Sequence, residues 1–222
     1  GVVVGALPYL VIERPGIGRM INSLAWWGSH GACVVDRARA DADTIRRALL
    51  AGYKAEIAKP GLVSATMILS HDEEASRQLY VEALSPTVTD ARIGQITQIP
   101  EGARLDPEAM LVAFEQKTRN LVRKSLKQGF VEEVTDDEAA WDFLHRIHVD
   151  NIAALGGRPK PRDHFRALRQ SLPADMRRLS LAMDGDKPVA ALLLLYGGRT
   201  VEYVTPAIEI SARSRQPLSF LI

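Results

Sequence analysis

The sequence is poor in cysteine, close to zero in net charge and without a long apolar run. Each scarcity excludes something. One cysteine, Cys33, cannot build an intrachain disulfide framework; it fits a reducing compartment, and a cytoplasmic location is expected. His30 and Cys33 have the spacing of half a metal site, but no second half follows, so no metal is expected. A formal charge of +1 argues against a chain built as a whole for nucleic acid, and any basic site has to be local. The longest apolar candidates, such as Ala190 to Tyr196, are strand-length, so neither a membrane span nor a signal peptide is expected. No nucleophile is placed for a triad around His148, which falls near an apolar helix face as a core histidine would. No isolated pair of carboxylates stands out as acid and base.

What is present is an ordinary globular composition, 46% hydrophobic and 25% charged over 222 residues. That length suffices for one large domain or two small ones. The stretch Asp106 to Val134 organises the rest. It reads as a single helix, capped by Asp106 with Pro107 at its first position, stopped by Gly129 and running straight into a strand at Phe130 to Val134. Met110, Leu111, Phe114, Thr118, Leu121, Val122 and Ser125 share one face at helical spacing. Lys117, Arg119, Arg123, Lys124 and Lys127 lie mostly on the other, with Arg119, Arg123 and Lys127 in one row four residues apart. Such a face either offers itself to an anion or is simply solvated.

Before that helix the pattern predicts strands at Val2 to Glu13 and Arg19 to Leu24, joined by a tight turn at Arg14 to Gly18. An aromatic loop at Ala25 to Gly31 precedes a short strand at Ala32 to Val35. A helix capped by Asp41 or Asp43 runs to Ala58, with Ile45, Leu49, Leu50 and Tyr53 inward. Strands follow at Leu62 to Leu69 and at Ala91 to Ile99; His71 to Leu79 reads equally as helix or loop. After the strand Phe130 to Val134 come a helix from Asp136 to Leu155 and a stiff basic loop at Gly156 to Arg162. A second helix runs from Asp163 to Leu172. Three strands then follow, at Arg177 to Met183, Val189 to Tyr196 and Thr200 to Val204, with hairpin turns at Asp184-Gly185-Asp186 and Gly197-Gly198. The near-continuous apolar run Ala191 to Tyr196 predicts a strand covered on both faces.

Strand, two helices and three antiparallel strands resemble the first two-thirds of the acetyltransferase (GNAT) fold. The segments KTRNLVRKSLKQGFVEEV, Arg19 to Gly31, Asn151 to Phe165 and Thr205 to Ile222 together resemble the FemAB/FemX-like N-acyltransferases. That resemblance implies an α/β chain of two GNAT-like lobes, each a mixed sheet flanked by helices. The expected division is 1–105, incomplete at its N-terminus, and 106–222, incomplete at its C-terminus, so the chain is expected to be part of a longer protein. It also implies transfer of an acyl or aminoacyl group to a substrate amine, in the best-known members on a peptidoglycan precursor in cell-wall biosynthesis. The donor would be aminoacyl-tRNA or acyl-CoA, with no further cofactor required. Family members that use aminoacyl-tRNA place a functional lysine further along the second lobe, beyond Ile222.

Acyl-CoA users carry a glycine-rich loop after their fourth strand, whose backbone donors bind pyrophosphate. The matching place, Arg213-Ser214-Arg215-Gln216-Pro217-Leu218, has two arginines but no glycine, and Pro217 removes a donor. A donor other than CoA is therefore favoured. Arg14 to Gly18 imitates the glycine pattern off register and reads as a hairpin turn. Anion-binding candidates are Lys117, Arg119, Arg123, Lys127, Arg158, Arg162, Arg213 and Arg215; Lys160 belongs to the same stiff loop as Arg158 and Arg162. Trp26 and Trp27 either stack on a sugar or base or plug the core. Glu202 and Tyr203, with backbone donors of their strand, are the groups that could serve acyl transfer. Two rivals stay open: an acyl-CoA acetyltransferase of a small amine, and a non-catalytic GNAT-like module that binds tRNA or an anionic glycan.

Overall fold

The computed structural model describes residues 1–23, 31–91, 93–101 and 106–222. Trp26 and Trp27, with most of the aromatic loop, lie outside them. The chain forms two compact units, Gly1–Ile96 and Thr97–Ile222.

In the first unit, β1 (Gly5–Ala6) pairs antiparallel with β4 (Val34–Val35). The strands β2 (Leu10–Arg14) and β3 (Gly18–Asn22) form the expected hairpin, its turn closed by Ile17 N–H donating to Arg14 O at 3.0 Å. The helix α1 (Ala42–Ile57) then carries the chain across, so that β5 (Leu62–Thr66) joins β3 in parallel. Leu50 and Tyr53 on α1 are buried, as their spacing requires. The segment that read equally as helix or loop is both: a 3-10 turn at His71–Ser76 followed by α2 (Arg77–Leu84). The strand expected at Ala91 to Ile99 is absent from the described residues there, which have no regular structure. Ile93, Ile96 and Ile99 recur every third residue, a spacing that a strand would split between its faces, and all three are exposed.

The second unit opens on a broken helix. The stretch expected as one helix is two, α3 (Pro107–Val112) and α4 (Gln116–Ser125). Asp106 does cap α3, accepting from Glu108 N–H at 3.0 Å. Glu115 is extended, with ψ of 156°, and Arg119 Nη1 reaches back to Phe114 O at 2.9 Å, which locks the break. Because α4 ends at Ser125, Lys127 falls beyond the helical row. Gly129 has φ of 76°, the left-handed stop expected there.

From Val131 the order follows the sequence pattern: β6 (Val131–Val134), α5 (Glu138–Ala153), α6 (Arg162–Ser171), β7 (Arg177–Asp184), β8 (Lys187–Gly197) and β9 (Thr200–Ile208). A 3-10 turn, Ile210–Arg215, leads into α7 (Pro217–Phe220). The sheet order is β6-β7-β8-β9, antiparallel throughout. Asp184 pairs with Lys187 across a two-residue turn in which Gly185 has φ of 60°, a conformation that glycine adopts without strain. One sheet face, with Leu179, Leu181, Ala191, Leu193 and Ala207, packs under Trp141, Leu144, Ile147 and Phe165 of α5 and α6. The other, with Ala182, Ala190 and Leu192, packs on Leu218, Phe220 and Leu221, and α4 lies against α7. The apolar run in β8 is thus covered on both sides. The strand β9 also outlasts its expected end at Val204, continuing through Pro206 to Ile208. Proline is tolerated because β9 is an edge strand, where a missing donor breaks no second ladder.

Candidate active site

The edge strand β9 is irregular at one place. Leu193 of β8 lies opposite Thr205, but Leu194 lies opposite Tyr203, so Val204 is the extra residue of a β-bulge. The bulge decides which side chains can cooperate. In a regular strand Tyr203 and Thr205 would share a face. Here Thr205 shares the face of Leu193 and Glu202 that of Leu195, and both of those leucines belong to the core beneath α5 and α6. Tyr203 shares the face of Leu194, on the α7 side. Glu202 and Thr205 therefore stand on one face two ladder steps apart, about 7 Å along the strand.

The loop between α5 and α6 supplies a third group to that face. Gly157 N–H donates to Ile152 O at 2.9 Å, which ends α5 and turns the chain. Lys160 N–H then donates to Nε2 of His148 at 3.0 Å. This bond fixes the buried His148 as an acceptor at Nε2 and leaves its proton on Nδ1, so it positions the loop and is no free base. So held, Lys160 Nζ donates to Thr205 Oγ1 at 3.3 Å. His145, His148 and His164 all pack on the buried Phe165, with ring centroids 5.4–5.6 Å apart. At the far end of α5 the Asn151 side chain clamps β9: Nδ2 donates to Ile208 O at 2.9 Å and Oδ1 accepts from Ile208 N–H at 3.0 Å.

The electrostatics follow from burial. Partial burial pushes the Lys160 ammonium below the usual lysine range. Burial first, and then the positive charge of Lys160, pushes His148 and His164 down, so both imidazoles are neutral at neutral pH. Partial burial also raises the Tyr203 phenol. The face thus carries a carboxylate, a hydroxyl and a half-buried ammonium side by side. That set can take a proton from one reacting atom and give one to another.

The other expected site residues are dispersed. Arg162 is held by Asp142, with Nη2 at 2.6 and 2.7 Å from the two carboxylate oxygens. Arg215 is committed to Asp184, to Gln128 O at 3.1 Å and to the face of Phe130 at 4.6 Å. Arg119 is engaged at the helix break described above. Arg123 makes a loose 3.7 Å pair with Glu108, and Lys117, Lys127, Arg158 and Arg213 are exposed. Among the described residues, no group of three or more His, Cys, Asp or Glu could hold a metal ion, and no helix is long and apolar enough to cross a membrane.

The loop after β9 is closed on itself. Ala212 N–H donates to Glu209 O, Gln216 N–H to Arg213 O and Ser219 N–H to Gln216 O, at 3.0, 3.2 and 3.0 Å. Gln216 itself sits at φ of 61°, a left-handed position filled without glycine.

Residues 113–222 match the family model of the acetyltransferase (GNAT) domain. Five chains of solved structures match, among them the crystal structure of FemX, at 14% identity and a TM-score of 0.61 over 98% of this chain and 75% of that one. No curated protein matches. Residues 113–222 are similar to a GNAT acetyltransferase domain, and the chain shares the fold of FemX. A GNAT domain supports N-acyl transfer, and the bulged β9 sets Glu202 and Thr205 on one face, with Lys160 bonded to Thr205. Glu202 was legible in the sequence as a residue of the third strand. The pairing of Lys160 with Thr205 was not, because 45 residues separate them. The available signal was a lysine fixed between Pro159 and Pro161, with histidines on both flanking helices.

Proposed function

We propose that the protein moves an acyl group from a donor other than CoA, an aminoacyl ester of tRNA, onto a substrate amine of the peptidoglycan-precursor type. The observation that carries the choice of donor is the loop at residues 213–218, the place of the pyrophosphate loop in acyl-CoA users. It has no glycine, its Gln216 amide is spent on Arg213 O at 3.2 Å, and Pro217 has no amide to give. In this reading Glu202 takes the proton from the attacking amine. The exposed cations Lys117, Lys127, Arg158 and Arg213 meet the phosphates of the donor or acceptor. The first unit serves as the first lobe of the same enzyme. The envelope setting is taken from the resemblance to the FemAB/FemX-like N-acyltransferases, and the fold shared with FemX supports it.

The test is calorimetric titration of the full-length protein with CoA and acetyl-CoA, beside transfer from a charged total-tRNA pool to a lysine-containing stem pentapeptide. Transfer from tRNA with no CoA binding below about 1 mM is expected. Tight CoA binding with acetyl transfer would favour the second reading, an acyl-CoA acetyltransferase, which the description of the matched domain suggests. Binding of tRNA without turnover would identify a non-catalytic module.

A further inference from the structure

We infer that Lys160 is the general acid of this site, protonating the oxygen that leaves when the donor ester breaks. The inference rests on the acyl-transfer reading above. It starts from position. Lys160 is a cation that the fold brings to the Glu202 face of β9, where Arg177 of β7, also on that face, is committed to Asp136; two things hold Lys160 there: the His148 bond to its backbone N–H and its own bond to Thr205 Oγ1. A lysine that served only to solvate a loop would need neither. The bulge at Val204 sets Glu202 and Thr205 on this same face, about 7 Å apart along the strand, so a carbonyl seated between them would have the proton acceptor on one side and the proton donor on the other.

The step balances. The amine nitrogen attacks the ester carbonyl carbon, the C–N bond forms and the carbonyl π pair moves to oxygen. Glu202 takes one proton from the new ammonium. The C–O bond to the ribose then breaks, and Lys160 gives a proton to the departing oxygen. The product is an amide and an alcohol, with Glu202 protonated and Lys160 neutral. Thr205 Oγ1, in contact with Nζ, is placed to help return the proton. The surroundings favour an ammonium that releases its proton readily. Burial lowers its proton affinity, and His148 of α5 and His164 of α6, both neutral, stand near enough to feel its charge; Arg158 and Arg162 flank it in the loop, and Glu202 is the carboxylate on the same face of β9.

The test compares two donors. One is the charged tRNA pool, whose leaving ribose oxygen needs a proton. The other is a 4-nitrophenyl aminoacyl ester, whose leaving phenolate does not. Lys160→Met, which keeps the side-chain volume, should lose about 10²-fold in kcat with the tRNA ester, KM unchanged, and little with the nitrophenyl ester. Lys160→Arg keeps the charge but cannot release a proton near neutral pH, so it should fail in the same donor-dependent way. Equal losses with both donors, no loss in Lys160→Met, or full activity in Lys160→Arg would overturn the acid role. A wild type that transfers from neither ester would overturn the acyl-transfer reading itself, and this inference with it.

Discussion

Arg46 and Glu73 show how one side chain can depend on a partner far away in sequence. Both are buried, and the guanidinium meets the carboxylate at 2.9 and 3.0 Å. Tyr80 adds a hydroxyl donor to Glu73 at 2.7 Å and accepts from Cys33 N–H at 3.1 Å, tying α1, α2 and the segment before β4 together. Burial alone would raise the Glu73 carboxyl. The hydrogen bonds from Arg46 and Tyr80, with the charges of Arg46 and Arg37, outweigh it and hold the group below the usual range. Burial also raises the Cys33 thiol, which makes it an inert packing group. Glu73→Gln would leave Arg46 buried with half its compensation. It should cost about 3 kcal/mol in urea unfolding, whereas the double change Arg46→Met with Glu73→Leu should recover most of that. None of this was legible: 27 residues separate the pair, and each half reads alone as an ordinary surface charge.

At the scale of elements, the sequence announced what periodicity controls and hid what single contacts control. The apolar run in β8 required cover on both faces and has it, because that pattern is imposed by many residues at once. The break between α3 and α4 rests on one arginine bonding to one carbonyl, in a stretch with no proline or glycine to mark it. The bulge in β9 is equally local, and it decides that Glu202 faces Thr205 while Tyr203 does not. The clamp from Asn151 is what keeps the free edge of β9 in register beyond that bulge. Asn151→Ala removes both of its bonds to Ile208 and should destabilise the second unit by about 2 kcal/mol. Hydrogen exchange should quicken at Ile208 first, while β6 and β7 stay protected. Uniform exchange across the sheet would show that the edge is held by its ladder alone.

For the molecule as a whole, the two units place their titratable groups at different depths of the pH scale. In the second unit His148 and His164 have folded proton affinities below the ordinary imidazole value of about 6.5, first from burial and then from Lys160. A group whose folded pKa is depressed contributes stability that is complete above its unfolded pKa and is lost as pH falls through the folded one. The second unit should therefore begin to weaken as pH drops below about 6.5. The first unit carries Glu73, also depressed, whose unfolded value is about 4.3, so its network should hold until pH falls below that. Between pH 6.5 and 4.5 the two units should part company. Hydrogen exchange, corrected for the pH dependence of the intrinsic rate, should show α5, α6 and β9 losing protection while α1 and α2 keep theirs. Replacing His148 and His164 by glutamine should remove the difference, since glutamine can still accept from Lys160 N–H but takes up no proton. Parallel loss of protection in both units, or an unchanged difference in the glutamine variant, would mean that the histidine cluster does not set the acid limit of the fold.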